Sequence, residues 1–393
     1  MELRDTDAEA EFRHGLREWL DKTLPELPAT PDPGDWPGRR AYDTGWQRRL
    51  YDAGYAGVHW PADAGGRGAS PAEYLIYLEE TERAGAPYVG ANFVGLLHAG
   101  PTVAAEGTAE QRRRWLPPIL SGAEVWCQGF SESGAGSDLA ALRTRAVRDG
   151  DDYVVSGSKI WTSHAEVADW CELLVRTGPT EPRHRGISWL VMPMDAPGVT
   201  VRPLRTLAGT NEFAELFLDE VRIPVANRVG AENDGWRVTM VTLSFERGTA
   251  FAGEVVGCRR TLVQLARLAQ ANGAWADPAL RRRLGALAAL FGALWRLVQW
   301  NVSEARAGGV PGPGASVFKL RFSEARQELY DLAAEVLGTA SLVLADGGAE
   351  GDWTAQRLQG LSYTIAAGTS QIQRSIVAQR VLGLPKERKG TGG

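Results

Sequence analysis

Cysteine is almost missing: Cys127, Cys171 and Cys258 are the only three in 393 residues. Thiols this few and scattered support neither a disulfide framework nor a Cys-x-x-Cys metal site, which implies a reducing compartment. A positive field is missing as well. The chain has 43 Lys and Arg against 48 Asp and Glu, a net charge of −5, with a pI near 5.7. That balance offers nothing to nucleic acid. The basic clusters Arg112-Arg113-Arg114 and Arg281-Arg282-Arg283 read as solvated helix faces. No apolar run is long enough for a bilayer: the best, Leu284 to Trp300, is broken by Gly292 and carries Arg296. It reads as a buried bundle helix. The start, Met1-Glu2-Leu3-Arg4-Asp5, is charged and has no apolar export core. No His, Cys and acidic cluster has metal-ligand spacing, and Gly-x-Ser-x-Gly elbows, internal repeats and low-complexity tracts are absent. These absences leave a soluble, cytoplasmic protein with enough chain for two or three domains and a large core.

The character of the chain changes twice. Up to about residue 122 it reads as helical: Leu16, Trp19 and Leu20, then Trp46 and Leu50, recur at helical spacing. Glu73 to Arg83 continues that pattern until Ala84-Gly85-Ala86-Pro87 stops it. Between 123 and 232 the apolar runs become short and β-branched, as in Tyr153-Val154-Val155, Cys171 to Val175, Ile187 to Val191 and Val199-Thr200-Val201. Gly, Pro or Asp bounds each run, the pattern of a compact β domain, and Asp149-Gly150-Asp151-Asp152 reads as a hairpin turn. From 233 to 393 long Ala/Leu/Arg segments return, separated at Gly308–Gly314 and near Gly347–Gly351. The expected architecture is an N-terminal helical domain, a central β barrel or sandwich, and a C-terminal four-helix bundle.

One segment stands out. Phe130-Ser131-Glu132-Ser133-Gly134-Ala135-Gly136-Ser137-Asp138 sets three small residues among hydroxyls and carboxylates. Small residues let backbone N–H groups approach a ligand closely, and clustered N–H dipoles favour an anion such as a pyrophosphate. Alone, such a loop is as often a plain turn. About 230 residues later, however, comes Ala367-Gly368-Thr369-Ser370-Gln371-Ile372-Gln373-Arg374, and between them lies Lys159-Ile160-Trp161-Thr162-Ser163. Together with Gly54 to Pro61, Trp115 to Gly122, Asn233-Asp234-Gly235-Trp236, Ser244-Phe245-Glu246-Arg247-Gly248 and Arg380 to Pro385, these segments resemble the acyl-CoA dehydrogenase family over essentially the whole chain.

The resemblance implies that FAD lies between the β domain and the C-terminal bundle. Ser131 would bond the pyrimidine edge of the flavin, with Gln128 and Phe130 lining the same strand. Trp161 would cover one flavin face, and Ser163 would reach its N5/O4 side. Gly136 and Ser137 would meet the pyrophosphate, and Thr369 and Gln371 the adenosine half. By itself a tryptophan such as Trp161 is more often a core aromatic. Glu132 and Asp138 would shape the flavin loop rather than act as paired acid and base, and His164 would be a loop residue.

The reaction implied is removal of the proton alpha to a thioester carbonyl with hydride transfer from the beta carbon, electrons passing to an electron-transfer flavoprotein. It needs a carboxylate whose pKa is raised by an apolar pocket, and donors that polarise the carbonyl. Many members carry that carboxylate immediately before the Gly-Thr of the C-terminal motif, where this chain has Ala367. Other members place it on a helix one residue before an arginine, which here is Glu246-Arg247. Glu246 is therefore the expected base, Arg247 a helper for the cofactor or CoA arm, and the Ala367 backbone N–H a carbonyl polariser. A second departure is the loss of an Arg-x-x-Phe-Gly segment, replaced by Asn272 to Pro278. It leaves open a homo-oligomer (dimer or tetramer) or a subunit of a heteromeric complex. Also open are a substrate tethered to a carrier protein, a flavin monooxygenase and a non-catalytic supporting chain. Substitution Glu246→Gln is expected to keep FAD and lose acyl-CoA-driven bleaching of the flavin band under anaerobic conditions; undiminished bleaching would remove Glu246 as the base.

Overall fold

Thr6, Ser70 and Thr108 each stand three residues before a Glu or Gln, and each opens a helix with a reciprocal capping box. The computed structural model describes residues 4–245, 251–306, 314–344 and 352–385. Its first part holds α1 (Asp7–Thr23), α2 (Trp36–Asp52), α3 (Pro71–Ala84), α4 (Gly100–Glu106) and α5 (Ala109–Ser121). Gly85, left-handed at φ 68°, ends α3 where the Gly-Ala-Pro signal placed the stop. Leu16, Leu20, Trp46, Leu50 and Ile119 are buried together against Trp60.

The second part is one sheet of eight strands: β1 (Trp126–Gly129), β2 (Arg145–Asp149), β3 (Asp152–Ser163), β4 (Trp170–Arg176), β5 (Ile187–Pro193), β6 (Val199–Leu204), β7 (Phe213–Pro224) and β8 (Arg228–Val229). Their spatial order is β6-β7-β3-β2-β4-β5-β8, with β1 added in parallel on β4. β2 and β3 form the expected hairpin, Asp149 facing Asp152 around Gly150 at φ 62°. β4 and β5 are buried along almost their whole length because both their faces are covered. Leu174, Ile187, Trp189 and Val191 pack on the helical core, whereas Leu173, Val175, Leu190 and Met192 fill the core on the other side.

The third part comprises α6 (Gly235–Phe245), α7 (Ala252–Ala271), α8 (Pro278–Arg306), α9 (Gly314–Leu337), α10 (Trp353–Gly360) and α11 (Ser370–Ile376). α7, α8 and α9 share a core that includes Leu265, Leu287, Phe291, Val298, Phe322 and Leu329. The Leu284–Trp300 run is thus a bundle helix, although Trp300 itself is exposed. Among the described residues no helix is long and apolar enough to cross a membrane, and no group of acidic, His or Cys side chains is placed to hold a metal. The three cysteines are free and buried. The connections expected near Gly308–Gly314 and Gly347–Gly351 lie largely outside the described residues, as does everything beyond Pro385.

A small polar network fixes where β1 starts. The last carbonyls of a helix have no partner within it and must find one elsewhere. At the end of α5, the Ile119 carbonyl accepts from Gln47 Nε2 at 2.6 Å and from Asn92 Nδ2 at 3.2 Å. Asn92 Nδ2 also donates to Gln47 Oε1, and its Oδ1 accepts the Trp126 backbone N–H at 3.1 Å. Two helices and the first strand are therefore joined through one side chain with no solvent exposure. Replacing it orphans several buried groups at once, so Asn92→Leu should lower unfolding free energy by about 2–4 kcal/mol in urea titration. A change below ~0.5 kcal/mol would mean the network does not hold β1.

Candidate functional site

The loop after β1 is clamped at its ends and open in its middle. Glu132 and Ala135 exchange backbone hydrogen bonds of 3.2 and 3.0 Å around Ser133-Gly134. The Glu132 carboxylate accepts from the Arg143 and Thr144 backbone N–H groups at 2.7 and 2.9 Å, and from Lys159 Nζ at 2.9 Å. Lys159 Nζ also donates to the Phe130 carbonyl, and the Ile160 N–H donates to the Ser131 carbonyl at 2.9 Å. Loop, β2 and β3 thus meet at one buried ion pair. Burial alone would push the Glu132 carboxyl up, but the Lys159 charge and the hydrogen bonds outweigh it and hold it below the usual carboxylate value. Burial pulls Lys159 down, against the opposing pull of Glu132.

Between these clamps Gly134, Gly136, Ser137 and Asp138 are exposed. Asp138 pairs with Arg183 at 2.6 Å. A Cβ added to Gly134 or Gly136 would meet nothing within 4 Å, and neither residue is left-handed. The fold's own packing therefore does not require these glycines, whereas a ligand lying against the backbone does. That observation fits the phosphate end of a dinucleotide cofactor.

β3 carries the other half. Its pairing with β7 slips between Lys159↔Leu216 and Thr162↔Ala214, an irregularity that sets Trp161 at φ 63° with 59% of its surface exposed. Bulges of this kind re-aim a side chain. The Trp161 ring stands edge-on to Phe213 at 5.9 Å and turns the rest of its surface outward. The core-aromatic alternative does not hold for this tryptophan. Ser163 is half-buried beside it, and Thr162 Oγ1 is buried with no hydrogen-bond partner among the described residues. His164 packs against Trp36 and Phe93, and burial, with Arg39 nearby, pushes its imidazole down to about 4. It is a neutral packing residue.

Two of the expected residues turn their side chains into the fold. Phe130 is buried in the helical core. Gln128 Nε2 donates to Glu172 Oε1 at 2.6 Å and lies 3.3 Å from His98 Nδ1. Both side chains are already engaged, which leaves the strand backbone and Ser131 to face a ligand.

The C-terminal motif sits on a separate body. Thr369 Oγ1 caps α11 by accepting the Ile372 N–H, Gln371 is exposed, and α11 packs on α9. Ala367 and Gly368 are left-handed at φ 50° and 85°. Lys319, on an apolar face of α9, holds this turn by donating to the Tyr363 and Gly368 carbonyls at 2.9 and 2.7 Å. Burial brings its amine down to about 8. A lysine among Phe318 and Phe322 was the available sequence signal, and it was missed. The structure thus gathers Gln128, Phe130, Ser131, Gly136, Ser137, Trp161 and Ser163 along β1, its loop and β3, and leaves Thr369 and Gln371 apart on the bundle. Glu246 and Arg247 lie outside the described residues. α6, which leads to them, is tied to α4 by a Thr102–Thr242 hydroxyl pair at 2.9 Å.

Known proteins align with this arrangement from end to end. Three family models match in succession: acyl-CoA dehydrogenase N-terminal domain over 6–123, middle domain over 127–221 and C-terminal domain over 233–382. Acyl-CoA dehydrogenase IpdE1 of Mycobacterium tuberculosis is 41% identical over 386 residues, covering 97% of this chain and 99% of its own. Among solved structures, the Tcur3481-Tcur3483 steroid ACAD superposes with a TM-score of 0.86 at 33% identity, over 98% of this chain and 100% of that one. The ChsE4-ChsE5 complex from M. tuberculosis gives 0.80 at 34% identity, over 98% and 100%.

Removing one partner of a buried pair strands the other, at about 3–5 kcal/mol. Lys159→Met is therefore expected to cost that much in urea unfolding and to release bound flavin during gel filtration. Because the folded Glu132 pKa is depressed, its contribution is complete above the ordinary carboxylate pKa. That contribution disappears as pH falls through the folded value, so flavin should dissociate on acidification. Full flavin retention by Lys159→Met would show that the clamp does not shape the loop.

Proposed function

Because this chain belongs to the acyl-CoA dehydrogenase family, we propose that it acts as one subunit of a heteromeric acyl-CoA dehydrogenase whose substrate is a bulky, steroid-type acyl thioester. The enzyme class follows from the family: the protein is an acyl-CoA dehydrogenase, a flavoprotein oxidoreductase. The observation that carries the finer reading is the full-length likeness to proteins named as a steroid ACAD and as a ChsE4-ChsE5 complex. Surface composition supports it. Ile365, Leu382 and Leu384 are 67, 64 and 53% exposed, and Leu361 and Val381 nearly half, all within one short C-terminal stretch beside the flavin motif. Large apolar groups left this open so near one another in sequence fit a surface that another chain covers.

The residues fit FAD, with the exposed Gly134, Gly136 and Ser137 open to phosphate, Ser131 and the β1 backbone at the flavin edge, and Trp161 and Ser163 beside it. Thr369 and Gln371 complete the cradle, from this chain or across an interface. When bound, FAD supplies the hydride acceptor. The chain's part is to bind, orient and move a proton. Glu246 takes the alpha proton on its carboxylate, and the Ala367 N–H polarises the thioester carbonyl, a role that needs no side chain. Arg247 steadies the CoA arm. Trp161 shields the reacting face from water. The product is the α,β-unsaturated thioester, and an electron-transfer flavoprotein is the acceptor partner.

The test is to purify the chain alone and co-expressed with a second family member, then titrate each anaerobically with straight-chain and ring-bearing acyl-CoAs. Stable flavin and bleaching by ring-bearing thioesters are expected of the pair. A lone chain that forms a fully flavin-loaded, fully active homo-oligomer would overturn the heteromeric reading. Bound flavin that no thioester bleaches would overturn the dehydrogenase mechanism.

A further inference from the structure

A chain of buried polar contacts runs through all three domains, and it begins behind the strand that presents Ser131. On β4, Glu172 of the middle domain has no solvent exposure. Its Oε1 accepts from Gln128 Nε2 at 2.6 Å, across the register that pairs β1 with β4. Gln128 Nε2 lies 3.3 Å from Nδ1 of His98, and that nitrogen is 3.8 Å from the Glu172 carboxylate. His98 belongs to the N-terminal domain and is 8% exposed. Four residues on, the buried Thr102 hydroxyl donates to the His98 carbonyl at 2.7 Å. The same hydroxyl stands 2.9 Å from that of Thr242, also buried. Thr242 is on α6, the first helix of the C-terminal domain.

The middle of this path is held from several sides. His98 lies in a π-helical turn, Gly95–Ala99, that runs directly into α4. Such turns carry one extra residue and concentrate at functional positions. A Cβ on Gly95 would come within 2.3 Å of Asn92 Oδ1, and one on Gly100 within 2.2 Å of the Trp60 ring. Both ends of the turn are therefore wedged into the core. A carboxylate out of reach of water needs donors and a countercharge to stay there. Gln128 gives Glu172 a donor, and the His98 imidazole supplies the charge when protonated. The other ties of α6 differ in kind. Arg237 pairs with Glu106 while half exposed, an arrangement that contributes little. Gly235 packs its backbone on Ser188 of β5, two turns before Thr242.

We infer that His98 is a positioning residue that couples the flavin edge of β1 to α6, so that a cofactor docked on the strand and the placement of the C-terminal domain are linked. This inference rests on the proposed placement of FAD along β1 and its loop. His98 acts through Gln128 on one side and Thr102 on the other, and the role requires no proton transfer.

A double-mutant cycle tests it on the full chain, with its partner subunit if flavin retention requires one. Thr242→Val removes the α6 end of the path with little change of shape, and His98→Leu cuts the middle. The FAD dissociation constant and the visible circular dichroism of bound flavin are measured for wild type, both single variants and the double. Thr242→Val is expected to weaken FAD about fivefold and to alter the flavin spectrum, although Thr242 is not on β1. In the His98→Leu background the same substitution should leave both readouts unchanged. Thr102→Val cuts the path at the next link, and takes the place of His98→Leu if that variant folds poorly. An effect of Thr242→Val that is equally large with the path cut overturns the inference, because it then travels by another route, such as the Gly235 contact with β5. No effect of Thr242→Val on bound flavin in the otherwise intact protein also overturns it. If the wild type takes up no FAD, the cofactor reading itself fails and the coupling falls with it.

Discussion

The site depends on one desolvated ion pair. Lys159 is fully buried and can be so only because Glu132 and the Phe130 carbonyl accept hydrogen bonds from its ammonium group. Glu132 in turn spends its remaining lone pairs on the Arg143 and Thr144 N–H groups. A pair of this kind contributes little net stability compared with apolar packing, but it specifies geometry strictly, because any misplacement strands a charge. Here the geometry specified is the exit of β1, the turn at Ser133-Gly134 and the start of β2. The exposed glycines are thus suspended between two anchors, neither of which needs a ligand to hold.

The helical core is a second, independent constraint on the same strand. Asn92 holds the Trp126 N–H while capping α5, so the beginning of β1 belongs to the N-terminal helices. Its end belongs to the Lys159 clamp. The strand that presents Ser131 is pinned at both ends by buried polar groups, and β4 supports it by parallel pairing in between. A binding edge held in this way is preorganised, which lowers the entropy lost when a ligand docks.

Much of this could be read from local pattern. Thr6, Ser70 and Thr108 announce their helices by capping spacing, and Asp149-Gly150 announces its hairpin, because those signals act within a few residues. The flavin loop was legible because its small residues are consecutive. The exposure of Trp161 was not derivable from spacing, since it follows from a register slip against β7, which depends on which strand pairs alongside. The inward turn of Phe130 and the engagement of Gln128 by Glu172 were hidden for the same reason: both depend on partners brought in by the tertiary fold. Lys319 could have been found as a lysine on an apolar helical face.

The substitution at Ala367 then has a physical account. The turn there is left-handed at two successive residues, a conformation that costs a non-glycine residue energy and persists only where its surroundings impose it. Those surroundings are Lys319 and Gln373, which hold the carbonyls of Tyr363, Ala367 and Gly368. None of these bonds involves the side chain at position 367. The backbone shape that would direct an N–H at a thioester is therefore independent of whether a carboxylate stands on it. On the proposed reading, a base supplied by another part of the chain would leave this turn intact, provided Lys319 stays buried. Catalytic carboxylate and carbonyl polariser would then be separable, because Lys319 and Gln373, rather than the side chain at 367, shape the loop.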